Sequence, residues 1–144
     1  MDTKTHVALR ITSQTLTPEE ISSLVGMSAD EARKKGEPKG NSAYRGRPVF
    51  AKDSRWVVES TLPPTAPPEA HIENLSERLA PYVDNIRALA DENDVSFWCA
   101  MYIYSEDEYS PGLYFAKETI NLLSSLRASL NIDPYFLVGD DTGL

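Results

Sequence analysis

The side chains able to act as a nucleophile or general base are few: one cysteine, Cys99, and two histidines, His6 and His71. A thiol becomes reactive where an electropositive, partly exposed setting holds it as the thiolate. Cys99 instead lies inside the alternating run VSFWCAMYIY, on the same side as Phe97 and Met101, which reads as inert core packing. The two imidazoles open a strand-like and a helix-like segment, with no motif spacing to each other or to Cys99, so they compose no triad. The same scarcity removes zinc sites built from Cys and His. Two acidic clusters, Asp91, Glu92 and Asp94, and Glu106, Asp107 and Glu108, lack the ligand spacing and central glycine of a calcium loop and read as solvated turns. No catalytic residue, metal or cofactor is therefore assigned, and a non-catalytic protein is the favoured reading.

The charge map is polarised. The stretch RKKGEPKGNSAYRGRP, extended through Arg55, holds eight of the 14 Lys and Arg residues but only two acids, Glu37 and Asp53, in a chain whose formal net charge is −8. It is not a phosphate loop of the Walker type, because no second glycine followed by Lys and Ser or Thr stands at the required spacing. Two readings remain. In one, Lys34, Lys35, Arg45 and Arg47 form a basic rim near Trp56 that receives an anionic group or an acidic surface. In the other, the segment is a solvated loop whose charges face Glu73, Glu77 and Asp84. Trp56 is itself either a ligand platform or core. A second candidate surface is aromatic: Trp98, Tyr102 and Tyr104 share one side of the VSFWCAMYIY run. These rings either present a binding face, as Tyr and Trp do at interaction hot spots, or pack beneath a helix or the proline connector.

The elements that must position these residues follow from periodicity. HVALRIT alternates Val7, Leu9 and Ile11 against His6, Ala8 and Arg10, the pattern of a strand with one buried face. TPEEISSLVG predicts a helix with Thr17 as N-cap, Pro18 in the first turn, Glu20 closing a capping box and Gly26 ending it. Pro48 to Thr61 predicts a hairpin turning at Lys52, Asp53 and Ser54. The LPPTAPPEA connector is stiff, and a long amphipathic helix follows, with Ile72, Leu75, Leu79, Val83, Ile86 and Leu89 on one stripe and Pro81 kinking or dividing it. Val95 to Tyr104 is a central strand, apolar on both sides. A loop, SEDEYSPG, leads to a short strand at Leu113 to Phe115, then to a last helix carrying Ile120, Leu122, Leu123, Leu126 and Leu130. NIDPYFLV is an edge strand that tolerates Pro134, and GDDTGL is a frayed tail.

This order predicts an α+β two-layer sandwich, a mostly antiparallel sheet with helices on one face, ferredoxin-like being the closest named arrangement. The 144 residues are the size of one domain, read as 1–138 with 139–144 as a flexible tail. The acidic balance argues against general nucleic-acid binding, which draws most of its non-specific affinity from phosphate neutralisation. Apolar runs are too short to span a bilayer, and the start shows no basic region followed by an apolar stretch. Residence in the cytoplasm, with no membrane contact, is the expectation. A single cysteine forbids an internal disulfide.

The opening strand, the helix LTPEEISSLVGM, the KKGE that follows, the RWVVES strand, the long helix and the ending SLNIDPYF together resemble the bacterial family catalogued as domain of unknown function 4279, over roughly Val7 to Phe136. The chain departs from that family's pattern in having Val25 before Gly26 and Pro134 between Asp133 and Tyr135. The resemblance implies no activity. Such domains look like the small acidic proteins sometimes encoded beside bacterial toxins, which implies, by analogy, an immunity protein whose partner is the toxin. The leading expectation is thus a non-catalytic protein-binding domain, with an anion-binding sensor or small enzyme built on residues 33–55 as the alternative.

Overall fold

A computed structural model describes residues 3–44, 46–104 and 113–137, without the side chains of 40–44. Arg45, the 105–112 loop with its Glu106 to Glu108 cluster, and the tail lie outside the described residues. Among the described residues seven strands and four α-helices follow in the order β1 (Lys4–Ser13), α1 (Pro18–Val25), β2 (Glu31–Arg33), β3 (Pro38–Tyr44), β4 (Arg47–Phe50), β5 (Ser54–Glu59), α2 (Pro68–Leu79), α3 (Val83–Leu89), β6 (Asp94–Ile103), α4 (Lys117–Ser125) and β7 (Ser129–Phe136).

The main sheet runs β2-β5-β1-β6-β7, and β3 and β4 form a separate two-stranded ribbon. β1 is antiparallel to both β5 and β6, β2 is antiparallel to β5, and β6 and β7 are parallel. Without β7 the order β6-β1-β5-β2 contains two interleaved β-α-β units: β1-α1-β2 with β5 between its strands, and β5-α2-α3-β6 with β1 between. That is the ferredoxin-like arrangement, extended by a β3-β4 insertion and by α4-β7 at one edge.

Strand alternation assigns each side chain to a face. Val7, Leu9 and Ile11 of β1, Trp56 and Val58 of β5, and Val95, Phe97, Cys99, Met101 and Ile103 of β6 all face the helices. Ile21, Val25, Ile72, Leu75, Leu79, Ile86, Leu89 and Leu123 close the same core from above. The α1 capping box is complete: Thr17 Oγ1 accepts the Glu20 N–H at 3.1 Å, and Glu20 Oε1 accepts the Thr17 N–H at 2.9 Å. Gly26 ends that helix at φ 97°, a left-handed conformation that only glycine takes cheaply. Pro81 divides the long helix as expected, through a 3-10 turn at Ala80–Tyr82.

The structure corrects several sequence expectations. Pro48 to Phe50 does not form a hairpin with the Trp56 strand; it pairs with β3, inside the segment read as a loop, because both edges of β5 are taken by β1 and β2. Glycine, proline and charge disguised β3, which pairs with β4 outside the main sheet and so needs no apolar alternation. Leu113 to Phe115 is irregular rather than a strand. Leu130 belongs to β7, not to the last helix. α4 stops at Ser125 through a Schellman motif in which Ala128 N–H donates to Leu123 C=O and Arg127 N–H to Ser124 C=O. Arg127 holds the left-handed position at φ 54° without being glycine, so the sequence carries no glycine stop signal there.

Candidate functional site

The face of the sheet opposite the helices carries the second set of alternating residues: Arg55, Val57 and Glu59 of β5, His6, Ala8 and Arg10 of β1, Ser96, Trp98, Ala100 and Tyr102 of β6, and Asn131, Asp133 and Tyr135 of β7. A cleft of about 380 Å3 opens in this face. Two local features create it. Ala8 and Ala100, among the taller Trp98, Tyr102, Arg10 and His6, leave a shallow floor. β5 ends at Glu59, opposite Ala8, so on that side the N-terminal part of β1 has no strand and is met by the turn instead, Ser60 N–H donating to Val7 C=O and Thr5 N–H to Pro64 C=O.

The aromatic wall is ordered. The Arg10 guanidinium lies 4.5 Å from the centre of the Trp98 ring, a cation–π contact. Tyr102 stacks on Tyr135 with ring centres 5.1 Å apart and meets His6 edge to face at 5.9 Å. These rings are half-buried or exposed, and none of the described helices that build the core packs its apolar stripe against them. Trp98 and Tyr102 thus lie on the face of the sheet away from those helices, with Leu62 of the proline connector lining the same cleft. Tyr104 is half-buried just beyond the end of β6 and does not line the cleft.

His71 enters the cleft from α2 and is only 2% exposed. Its Nδ1 is 2.7 Å from Ser60 Oγ, which also accepts the Leu62 N–H. The other ring nitrogen, Nε2, is buried and has no hydrogen-bonding partner among the described residues. Burial, and then the nearby His6, pull its pKa below the ordinary histidine value, so the ring is neutral near pH 7. Glu59 is shifted the other way, raised by burial first and then by the carboxyl group of Glu31. Cys99 faces the core, and burial pushes its thiol up to about 11, which agrees with packing rather than reactivity. No group of three or more His, Cys, Asp or Glu among the described residues is placed to hold a metal ion.

The basic segment does not join this site. Trp56 is fully buried on the helix side, its indole N–H donating to Ser22 Oγ at 2.9 Å, so it is core and offers no platform to a ligand. Lys35 Nζ donates to the Gln14 carbonyl at 3.1 Å, Lys34 and Arg47 are exposed, and Arg33 pairs with Asp53 at 3.3 Å. Among the described residues, no ion pair links the segment to Glu73, Glu77 or Asp84. His6, His71, Arg10, Glu59 and Asp133, which the sequence did not mark as binding residues, are the polar groups that the fold gathers. The parity of β1 against β6 was the available signal for His6 and Arg10; His71 and Asp133 come from remote segments and gave none.

Fold and site together define a two-layer α+β domain of ferredoxin-like core with an open, aromatic sheet face. A family model described as "Domain of unknown function (DUF4279)" matches residues 3–137, and the chain belongs to that family. No curated protein and no solved structure matches it. Among the described residues no helix is long and apolar enough to cross a membrane.

Proposed function

We propose that this chain is a non-catalytic binding domain whose receiving surface is the open sheet face, and that its partner is a protein, with neutralisation of a cognate bacterial toxin in the cytoplasm as the leading role. The observation that supports this reading is the wall of Trp98, Tyr102 and Tyr135 with Arg10 laid on the indole, on the side of the sheet away from the core-building helices. Trp, Tyr and Arg carry much of the binding energy at interfaces, the aromatic rings because they offer large contact area with little entropy to lose and Arg through its planar fork of donors. A mixed set of charges around the rings favours a partner with both signs at its surface over a uniformly charged one.

The test is co-expression with the product of each neighbouring gene. A neighbour that is toxic alone, is silenced by this chain, and forms a one-to-one complex supports the reading if the double variant Trp98→Ala, Tyr102→Ala loses both effects while remaining folded. Retention of complex and protection by that variant would move the interface off this face.

A further inference from the structure

Arg33 and Arg55 stand directly opposite each other where β2 pairs with β5. The next residue, Trp56, enters the core, so both arginines lie on the open face of the sheet. Directly opposed residues hold their Cβ atoms about 4.5–5.5 Å apart, and like charges placed that way destabilise a sheet. Arg10 adds a third cation one diagonal step away, since Arg10 faces Val57 and Arg55 faces Thr12, while its own guanidinium rests on Trp98. The counter-charges are incomplete. Asp53 pairs with Arg33 at 3.3 Å, but among the described residues no carboxylate pairs with Arg55 or Arg10. The Nε atoms of Arg33 and Arg55 are buried without hydrogen-bonding partners, so the described residues complete neither guanidinium. Burial, and then the charges of Arg33 and Arg10, pull the Arg55 pKa below the ordinary arginine value. A hollow of about 180 Å3 opens here, lined by Glu31, Ala32, Arg33, Arg55 and Val57. Glu31, the one acid in its wall, has its carboxyl group beside that of Glu59.

We propose that this hollow binds a phosphate-type oxyanion, as the free ion or as the terminal group of a small phosphomonoester, between the guanidinium groups of Arg33 and Arg55. Two opposed guanidinium forks can each take one edge of a tetrahedral oxyanion, which offers three or four acceptor oxygens. A carboxylate offers two and fills a single fork. The charge of the anion offsets the repulsion that the β2–β5 register builds in. A hollow near 180 Å3 is smaller than the usual site for a whole small molecule, so it takes the anionic group and leaves any remainder outside. This site is separate from the aromatic wall and does not rest on the reading of a protein partner. Arg55 is opposite Thr12 and Tyr102 opposite Lys4, near the two ends of β1.

The experiment is an amide chemical-shift titration of the purified protein with inorganic phosphate, glycerol 3-phosphate and acetate, at constant ionic strength in a zwitterionic buffer. Saturable shifts centred on Ala32, Arg33 and Arg55 are expected for phosphate, with a Kd of about 1 mM or tighter, and acetate should bind about tenfold or more weakly. Glycerol 3-phosphate binding as tightly as phosphate assigns the site to monoesters, and clearly weaker binding assigns it to the free ion. Arg55→Gln and Arg33→Gln, one on each strand, should each lose the phosphate response with an otherwise unchanged spectrum. Arg87→Gln, on α3 in the helical layer, should keep it. Absence of saturation up to about 20 mM phosphate, an equal response to acetate, shifts mapping elsewhere, or binding retained by both strand variants would overturn the proposal.

Discussion

The two tryptophans of this protein sit on interior strands of one sheet and meet opposite fates. Trp56 on β5 points at the helices, is fully buried, and places its N–H on Ser22 of α1. Trp98 on β6 points away from them and is half-buried beneath Arg10. Both flank β1, Trp56 opposite Ile11 and Trp98 opposite Ala8, and the parity of the β1 partner decides the face. The same residue type is thus a structural keystone on one side and a surface group on the other. The difference teaches that composition marks rings worth placing, while register decides which of them can meet a ligand.

Substitution tests this contrast directly. Trp56→Ala should cost about 3–5 kcal/mol, the usual loss for a large aromatic removed from a packed core, read as a lower urea midpoint. Thr17→Ala should cost about 1 kcal/mol by unsatisfying the first turn of α1, the helix that covers Trp56. It should leave the fluorescence of the buried indole unshifted; a red shift would mean that the cap, and not the packing, keeps the core face dry. Trp98→Ala should cost no more than about 1 kcal/mol, since it removes an exposed cation–π contact and part of a half-buried surface. An effect as large as that of Trp56→Ala would end the distinction between the faces.

The subtlest expectation concerns His71, which bridges the two sides. Its folded pKa lies below the ordinary value, so folding favours the neutral ring. Its contribution is complete above the unfolded pKa near 6.5 and is lost as pH falls through the folded one, where the unfolded chain binds the extra proton. Urea midpoints of the native protein should therefore decline from pH 7.5 to pH 5 more steeply than those of His71→Gln. Parallel slopes would show that the ring titrates freely and is not held neutral between Ser60 and the cleft.

Local elements were legible wherever a local rule governs them. Thr17, Glu20 and Gly26 announced α1 because caps act within a few residues, and Pro81 announced the break in the long helix because it removes a donor from its own turn. Elements governed by distant partners were not legible. β3 was hidden because a ribbon apart from the main sheet needs no hydrophobic period, and the end of α4 was hidden because Arg127 occupies a position where glycine is the usual signal. The rim of Lys34, Lys35, Arg45 and Arg47 about Trp56 rested on closeness in sequence; the strand that carries Trp56 turns its ring to the opposite side from solvent.

By itself the sequence determined the two periods, the helix ends, the acidic balance and the ordered motifs of the family, since all of these arise from backbone and side-chain chemistry over short spans. Only the tertiary structure decided which tryptophan is buried, that β5 stops opposite Ala8, and that His71 and Asp133 meet His6 and Arg10 around one cleft. Those facts depend on strand register, where a shift of one residue exchanges every side chain between the faces. Register is set by the packing of the whole core rather than by any one segment.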